Sequence, residues 1–264
     1  MKAMVFLLLL RYCFTYDYCS DKASKKLCKG EKHIACCSDK DQSKCITNPF
    51  EVPYDKGKAV YPMTQEFISM ILNKHNELRD SVACGDRNYT TMSGQTLPVP
   101  STMNEVIWSD ELAGNVRILM KNCIYGHSKC HSTSNFPCSG QNLGRGSAMI
   151  DNRDFALKII QLWFDEYLFV PDIKDLQSFS GKSFMKSESI GHFTALIQED
   201  QTHIGCTMVK CRSSSETTIL FGCNYAQTNM VGGTTYSYSK DGKPGEKCEK
   251  KSKKYKCLCA PVEN

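Results

Sequence analysis

Three segments with helical periodicity, followed by three with strand-like alternation, predict an α+β fold for this chain of 264 residues. Because the helices come first and the strands later, with little strict β-α-β order, helices packed on an antiparallel sheet are expected. Sixteen cysteines add a third observation: they are scattered along the chain and predict a disulfide framework made in an oxidising compartment. No pair of Cys-x-x-Cys knuckles occurs, which argues against zinc fingers.

The helices read as follows. In "TQEFISMILNKHNELRDSV" (64–82), Phe67, Ile71, Leu78 and Val82 form an apolar stripe behind a Thr64 cap. His75 falls in that stripe and reads as a hydrogen-bonded core or helix-face histidine. "SDELAGNVRILMKNC" (109–123) is capped by Ser109 and buries Leu112, Val116, Leu119 and Cys123. "NRDFALKIIQLWFDEYLF" (152–169) turns Phe155, Ile159, Ile160 and Trp163 inward. Strands are expected at 192–199, 203–210 and 217–226, the first of them beginning at His192 in "SIGHFTALIQ".

The ends differ from this middle. "MKAMVFLLLL" has one lysine and then apolar residues 3–10, a signal peptide covering 1–16 with cleavage near Thr15 or Tyr16. That run is too short to span a bilayer, and no other stretch approaches the roughly 20 residues required, so no membrane span is expected. If Cys13 leaves with the signal, fifteen cysteines remain and at least one thiol is unpaired or intermolecular. Residues 17–62 form a cysteine-rich extension with too little apolar surface for its own core. The central domain runs 63–230 and a basic cysteine-containing tail 231–264. Within the tail, 240–256 hold eight lysines against three acids; a solvated tail is the simpler reading, and an anionic glycan or another anionic surface is the functional one. Nucleic acid is not expected for a secreted chain, since the run has no arginine and only one aromatic, Tyr255, among its lysines. "NYT" marks Asn88 as a glycosylation sequon.

Five pieces stand out together: "YGHSKC" (125–130), "SGQNLG" (139–144), "LWFDEY" (162–167), "IGHFTALI" (190–197) and "FGCNYA" (221–226). In this order they resemble the CAP superfamily of cysteine-rich secretory, antigen 5 and pathogenesis-related proteins. The N-terminal cysteines resemble the antigen 5 branch of arthropod venom and saliva proteins, and the "YKCLC" tail resembles that of insect members. Only three cysteines follow Cys223, too few for the ion-channel module of vertebrate relatives.

The resemblance implies a three-layer α-β-α sandwich with bridges Cys19–Cys36, Cys28–Cys130, Cys45–Cys123 and Cys206–Cys223. The last also follows from both cysteines lying mid-strand in successive strands. Of the remainder (Cys37, Cys84, Cys138, Cys211, Cys248, Cys257 and Cys259), a tail bridge involving Cys248 is expected, and Cys84 with Cys138 is a guess. The resemblance further implies a shallow cleft with histidines His127 and His192 and carboxylate Glu166. The family's second carboxylate falls on Gln141, which can neither take a proton at neutral pH nor balance a dication. Gln198 replaces a tryptophan that often closes the strand motif.

Two imidazoles converging on one point suit Zn²⁺ or Cu²⁺, weakly bound, since a durable site has three or four protein ligands. His131 is a conceivable third ligand but reads more simply as a solvated loop residue; His33 and His203 read as structural or surface residues. No Ser-His-Asp or Cys-His arrangement is signalled, and "LRD" and "CGD" are the nearest approaches to an integrin motif. The resemblance therefore implies a secreted, non-catalytic protein that binds host proteins or small lipid or eicosanoid ligands. The alternative is a metal-dependent enzyme, a hydrolase or a copper-linked superoxide scavenger using the histidine pair.

Overall fold

The computed structural model describes residues 18–31, 33–35, 58–123, 125–147, 152–212 and 216–262. The signal segment and most of the extension, including Cys36, Cys37 and Cys45, lie outside the described residues.

The described residues form five α-helices and five strands, with 3-10 turns at Glu166–Phe169 and Ile173–Leu176: α1 (Asp21–Cys28), β1 (Lys58–Val60), α2 (Gln65–Cys84), β2 (Ile107–Trp108), α3 (Asp110–Met120), β3 (Gly140–Ser147), α4 (Asn152–Asp165), α5 (Gly191–Ile197), β4 (His203–Arg212) and β5 (Thr217–Tyr225). The sheet order is β1-β4-β5-β3, antiparallel throughout that path, with β2 added to β4 in parallel. Thr64 and Ser109 cap α2 and α3 as their sequences predict, accepting from the amides of Phe67 and Leu112.

Alternation along β4 and β5 separates the layers. Ile204, Cys206, Met208, Phe221, Cys223 and Tyr225 join the main core with α2, α4 and α5. Val209 and Leu220 face the other way and pack with Val116, Leu119 and Met120 of α3. The result is a three-layer α-β-α sandwich whose central strand β4 is buried on both faces over 203–209.

Two expectations about elements are corrected. The segment that begins at His192 is the helix α5, and not a strand. Charges from elsewhere in the chain hold it. Glu166 Oε2 accepts from the amides of His192 (2.9 Å) and Phe193 (3.2 Å) at its first turn. At its other end the buried Arg79 guanidinium donates to the carbonyls of Leu196 (2.8 Å) and Gln198 (3.0 Å). A negative group at the start and a positive group at the end both oppose the helix dipole. Missing from the expected set are the short strands β1 and β2 and the longer β3. The β3 sequence GQNLGRGS carries three glycines and little β propensity. Those glycines let α4 lie directly on the sheet, since a Cβ at Gly144 or Gly146 would run into Ile159 or Phe155.

The tail lies on the same core as the central domain. Tyr236, Tyr255, Cys257 and Leu258 are buried among the main-core residues. Cys28 is bonded to Cys130, and Cys206 to Cys223 between register partners on β4 and β5. Cys123 is bonded to Cys211 at the end of β4, correcting the Cys45–Cys123 expectation. Cys84 is bonded to Cys257, so the guess of Cys84 with Cys138 is also wrong; Cys138 is an exposed free thiol. The tail bridge is Cys248–Cys259. Cys19 is disulfide-bonded, and its expected partner Cys36 lies outside the described residues.

Candidate functional site

The loop between α3 and β3 is tied down from several sides. Cys130 anchors it to α1, the amide of Ile34 donates to the Cys130 carbonyl (2.9 Å), and Asn115 and Ser139 side chains donate to the His131 carbonyl (3.3 and 3.0 Å). This fixed loop forms one wall of a cleft of 310 Å³, with β3, the start of α5 and the segment after β5 completing it. His127, His131, Gln141, Asn142, His192 and Asn229 are among the residues that line it.

Three of the four expected cleft residues, His127, Gln141 and His192, therefore come together. Glu166 lies behind His192 rather than in the cleft wall. Its Oε1 is 2.6 Å from His192 Nδ1, and its Oε2 takes the amides of His192 and Phe193 in the first turn of α5. Trp163 stacks on the same imidazole with ring centroids 5.8 Å apart. His192 is thus fixed in position and tautomer, its Nδ1–H directed at a carboxylate.

Gln141 does for His127 what Glu166 does for His192. His127 Nδ1 lies 3.1 Å from Gln141 Oε1, which also accepts from the Ser128 amide (3.2 Å). The other end of the Gln141 amide donates to Asn224 Oδ1 (3.0 Å) and Ser128 Oγ (3.3 Å), which sets its orientation. Both imidazoles therefore have Nδ1 tied to an oxygen, and neither Nε2 has a protein partner among the described residues. Metal-bound histidines are oriented in this way by their outer-shell acceptors. Two imidazole nitrogens with no protein partner among the described residues are donors of the type that Zn²⁺ and Cu²⁺ take.

His131 departs from its expected role, and two asparagines outside the expected set support the site. Far from being a solvated loop residue, His131 lies between Ser128 Oγ (2.9 Å) and the Ser139 carbonyl (3.1 Å), and burial pulls its pKa down to about 4. It is a neutral wall residue with both nitrogens engaged. Asn142 donates to the His192 carbonyl (3.0 Å) and Asn229 to the Gly191 carbonyl (3.0 Å), so two amides brace the turn that carries His192. Asn142 sits within the "SGQNLG" motif, the signal that could have found it; Asn229 carries no sequence signal. His75, by contrast, is fully buried between the Ile71 carbonyl (2.8 Å) and Tyr225 hydroxyl (3.0 Å), as its place in the stripe predicts. His33 is also structural, packed on Tyr18 and 2.9 Å from the Ser132 carbonyl. His203 is buried on β4. Asn88 is exposed just beyond α2.

A sandwich with this cleft and this motif order defines a class, and comparison with known proteins agrees. Residues 72–225 match the model of the cysteine-rich secretory protein (CAP) family. The chain belongs to that family. It is 30% identical to venom allergen-1 of Aedes aegypti, over 97% of this chain and 91% of that protein. It is 28% identical to venom allergen 5 of Vespula pensylvanica, over 82% of this chain and 96% of that one. These relatives agree with the antigen 5 resemblance. Among solved structures, a crystal structure of NaASP2 with Zn²⁺ superimposes with a TM-score of 0.59 at 24% identity, covering 74% of this chain and 96% of that one. Na-ASP-1 superimposes with a TM-score of 0.63 at 22% identity, covering 79% and 52%.

Proposed function

We propose that the chain is a secreted salivary or venom protein that binds components of host defence without transforming them. The observation that carries this reading is the state of Glu166. Its carboxylate accepts three hydrogen bonds from His192 and Phe193 and lines no part of the cleft. The position of a second carboxylate is held by Gln141, an amide already engaged with His127, Ser128 and Asn224. General acid-base chemistry needs a titratable group within reach of substrate, and both members of the expected pair are committed to holding imidazoles. The disulfide framework and the venom-allergen relatives support secretion. Asn88 is the expected site of glycosylation. Host proteins and small lipids or eicosanoids are the expected ligands.

The alternative, a metal-dependent hydrolase or superoxide scavenger, is favoured by one feature, the matched orientation of His127 and His192. An ion held there would supply Lewis-acid or redox chemistry; two protein ligands would hold it weakly. Calorimetric titration with Zn²⁺ and with Cu²⁺ on the intact protein and on the His127→Ala/His192→Ala variant measures the site directly. Ester hydrolysis and superoxide consumption are then assayed on both proteins with metal present. Equal rates support the binding reading, and a rate abolished in the double variant overturns it. Extraction of the native protein for co-purifying lipid tests the lipid ligands separately.

A further inference from the structure

The charge excess of this chain sits in one segment. Residues 240–256 carry eight lysines and three acids, which is the whole net charge of +5, and elsewhere 25 basic residues balance 25 acidic ones. The fold makes that segment rigid. Cys248–Cys259 closes it on itself and Cys84–Cys257 fastens it to the end of α2. Tyr255 and Leu258 are buried in the main core, the Cys257 amide donates to Asp80 Oδ1 (2.8 Å), and the Lys247 amide to the Ser101 carbonyl (2.9 Å).

All eight lysines remain exposed on this unit. Four have a nearby partner: Lys243 with Asp241 at 3.9 Å, Lys256 with Asp86 at 3.5 Å, Lys251 with the Pro244 carbonyl and Lys254 with Asn73. Lys240, Lys247, Lys250 and Lys253 have no acidic partner among the described residues. The acid Glu246 is taken up by Ser239 Oγ (3.0 Å) and the Lys240 amide (3.4 Å).

We propose that this stapled lysine unit is a binding site for a sulfated glycan. Three features select that class. Between residues 240 and 259 no large apolar side chain is exposed, so the unit has no wedge to insert into a lipid surface. Tyr255, its one aromatic, is buried and the segment has no arginine, so it offers neither stacking platforms nor bidentate forks for a nucleic acid. What remains is a set of ammonium point charges on a frame ordered by disulfides, suited to a chain of regularly spaced sulfates, with little ordering cost on binding. None of these residues lines the histidine cleft, so the inference stands apart from the proposed function above.

The test measures binding of the intact, oxidised protein to immobilised heparin at 150 mM NaCl. The tail variant Lys247→Ser/Lys250→Ser/Lys253→Ser is compared with Lys22→Ser/Lys25→Ser/Lys26→Ser, which removes the same charge from exposed positions of α1. The tail variant is expected to bind about tenfold more weakly, as loss of three exposed charge contacts predicts. The α1 variant stays within about twofold, and fully desulfated heparin fails to compete. Equal weakening of the two variants, or competition by the desulfated polymer, overturns the proposal. So does tighter binding of phosphatidylserine vesicles or duplex DNA than of heparin at the same salt.

Discussion

Glu166 and His192 act as one unit: a single carboxylate takes both the imidazole Nδ1–H, at 2.6 Å, and two amides in the first turn of the helix that carries that imidazole. The acid therefore ties the first turn of α5 to the direction in which its histidine points. Glu166→Gln keeps the shape but loses the charge that makes these hydrogen bonds strong. A loss of about 1–3 kcal/mol is expected, read as a lowered midpoint in thermal unfolding. Glu66 provides the comparison, since its pair with Arg153 is largely exposed at 2.9 Å, and Glu66→Gln should cost less than about 1 kcal/mol. Equal effects for the two would show that Glu166 is not the anchor of α5.

Arg79 is the counterpart at the far end of α5. It is fully buried without a carboxylate partner in contact among the described residues, and every nitrogen of its guanidinium donates to a backbone carbonyl, including two bonds to Asn104 at 3.0 and 2.8 Å. Arg79→Ala leaves the carbonyls of Asn104, Leu196 and Gln198 without this donor, at a cost upwards of about 3 kcal/mol. Arg79→Lys, which has no planar fork, keeps only part of the set. Urea denaturation should therefore order the midpoints as parent, then lysine, then alanine. A lysine variant as stable as the parent would remove the argument from geometry.

This pair of charges also shows why α5 was misread while the longer helices were legible. α2, α3 and α4 bury apolar stripes several turns long, and α2 and α3 carry their own caps, so local pattern and tertiary packing agree in them. GHFTALI has seven residues, too few to propagate a helix alone, and is rich in residues that favour strands. Its stabilising groups come from Glu166 and Arg79, distant in sequence. β3 failed for the opposite reason, because its glycines serve the close approach of α4 rather than the strand. In the site, motif matching gathered His127, Gln141 and His192 in one cleft but not the position of Glu166 behind it, since spacing along a chain carries no depth. Cysteine pairing was least legible. Cys123 reaches Cys211 only because β4 ends beside α3, a contact of the tertiary fold.

The Cys84–Cys257 bridge spans 173 residues and holds the tail against α2. Replacing both cysteines with serine should cost about 2–4 kcal/mol. The loss should be local at first: limited trypsin digestion is expected to cut the lysine-rich tail early while the sandwich survives. The Cys248–Cys259 bridge spans only 11 residues within the tail, so its removal should leave docking on α2 intact. A Cys84→Ser/Cys257→Ser protein as resistant to trypsin as the parent would mean that burial of Tyr255 and Leu258 suffices to hold the tail.

Acid should unfold this protein partly through its buried histidines. Burial pulls His75 down to about 4, and Arg79 and Lys74 add to the effect. His131 is pulled to about 4, and His33 and His203 are lowered in the same direction. A histidine with its folded pKa below the unfolded value of 6.5 contributes its full stability above pH 6.5. That contribution is lost as pH falls toward 4, because the unfolded chain takes up the proton first. For His75 the shift corresponds to about 3 kcal/mol. His75→Asn removes this titration while its amide retains hydrogen-bonding groups near the Ile71 carbonyl and the Tyr225 hydroxyl. The variant is expected to be less stable at pH 7 but to show a shallower fall in melting temperature between pH 7 and pH 4. Parallel melting curves for parent and variant across that range would assign the acid sensitivity to other groups.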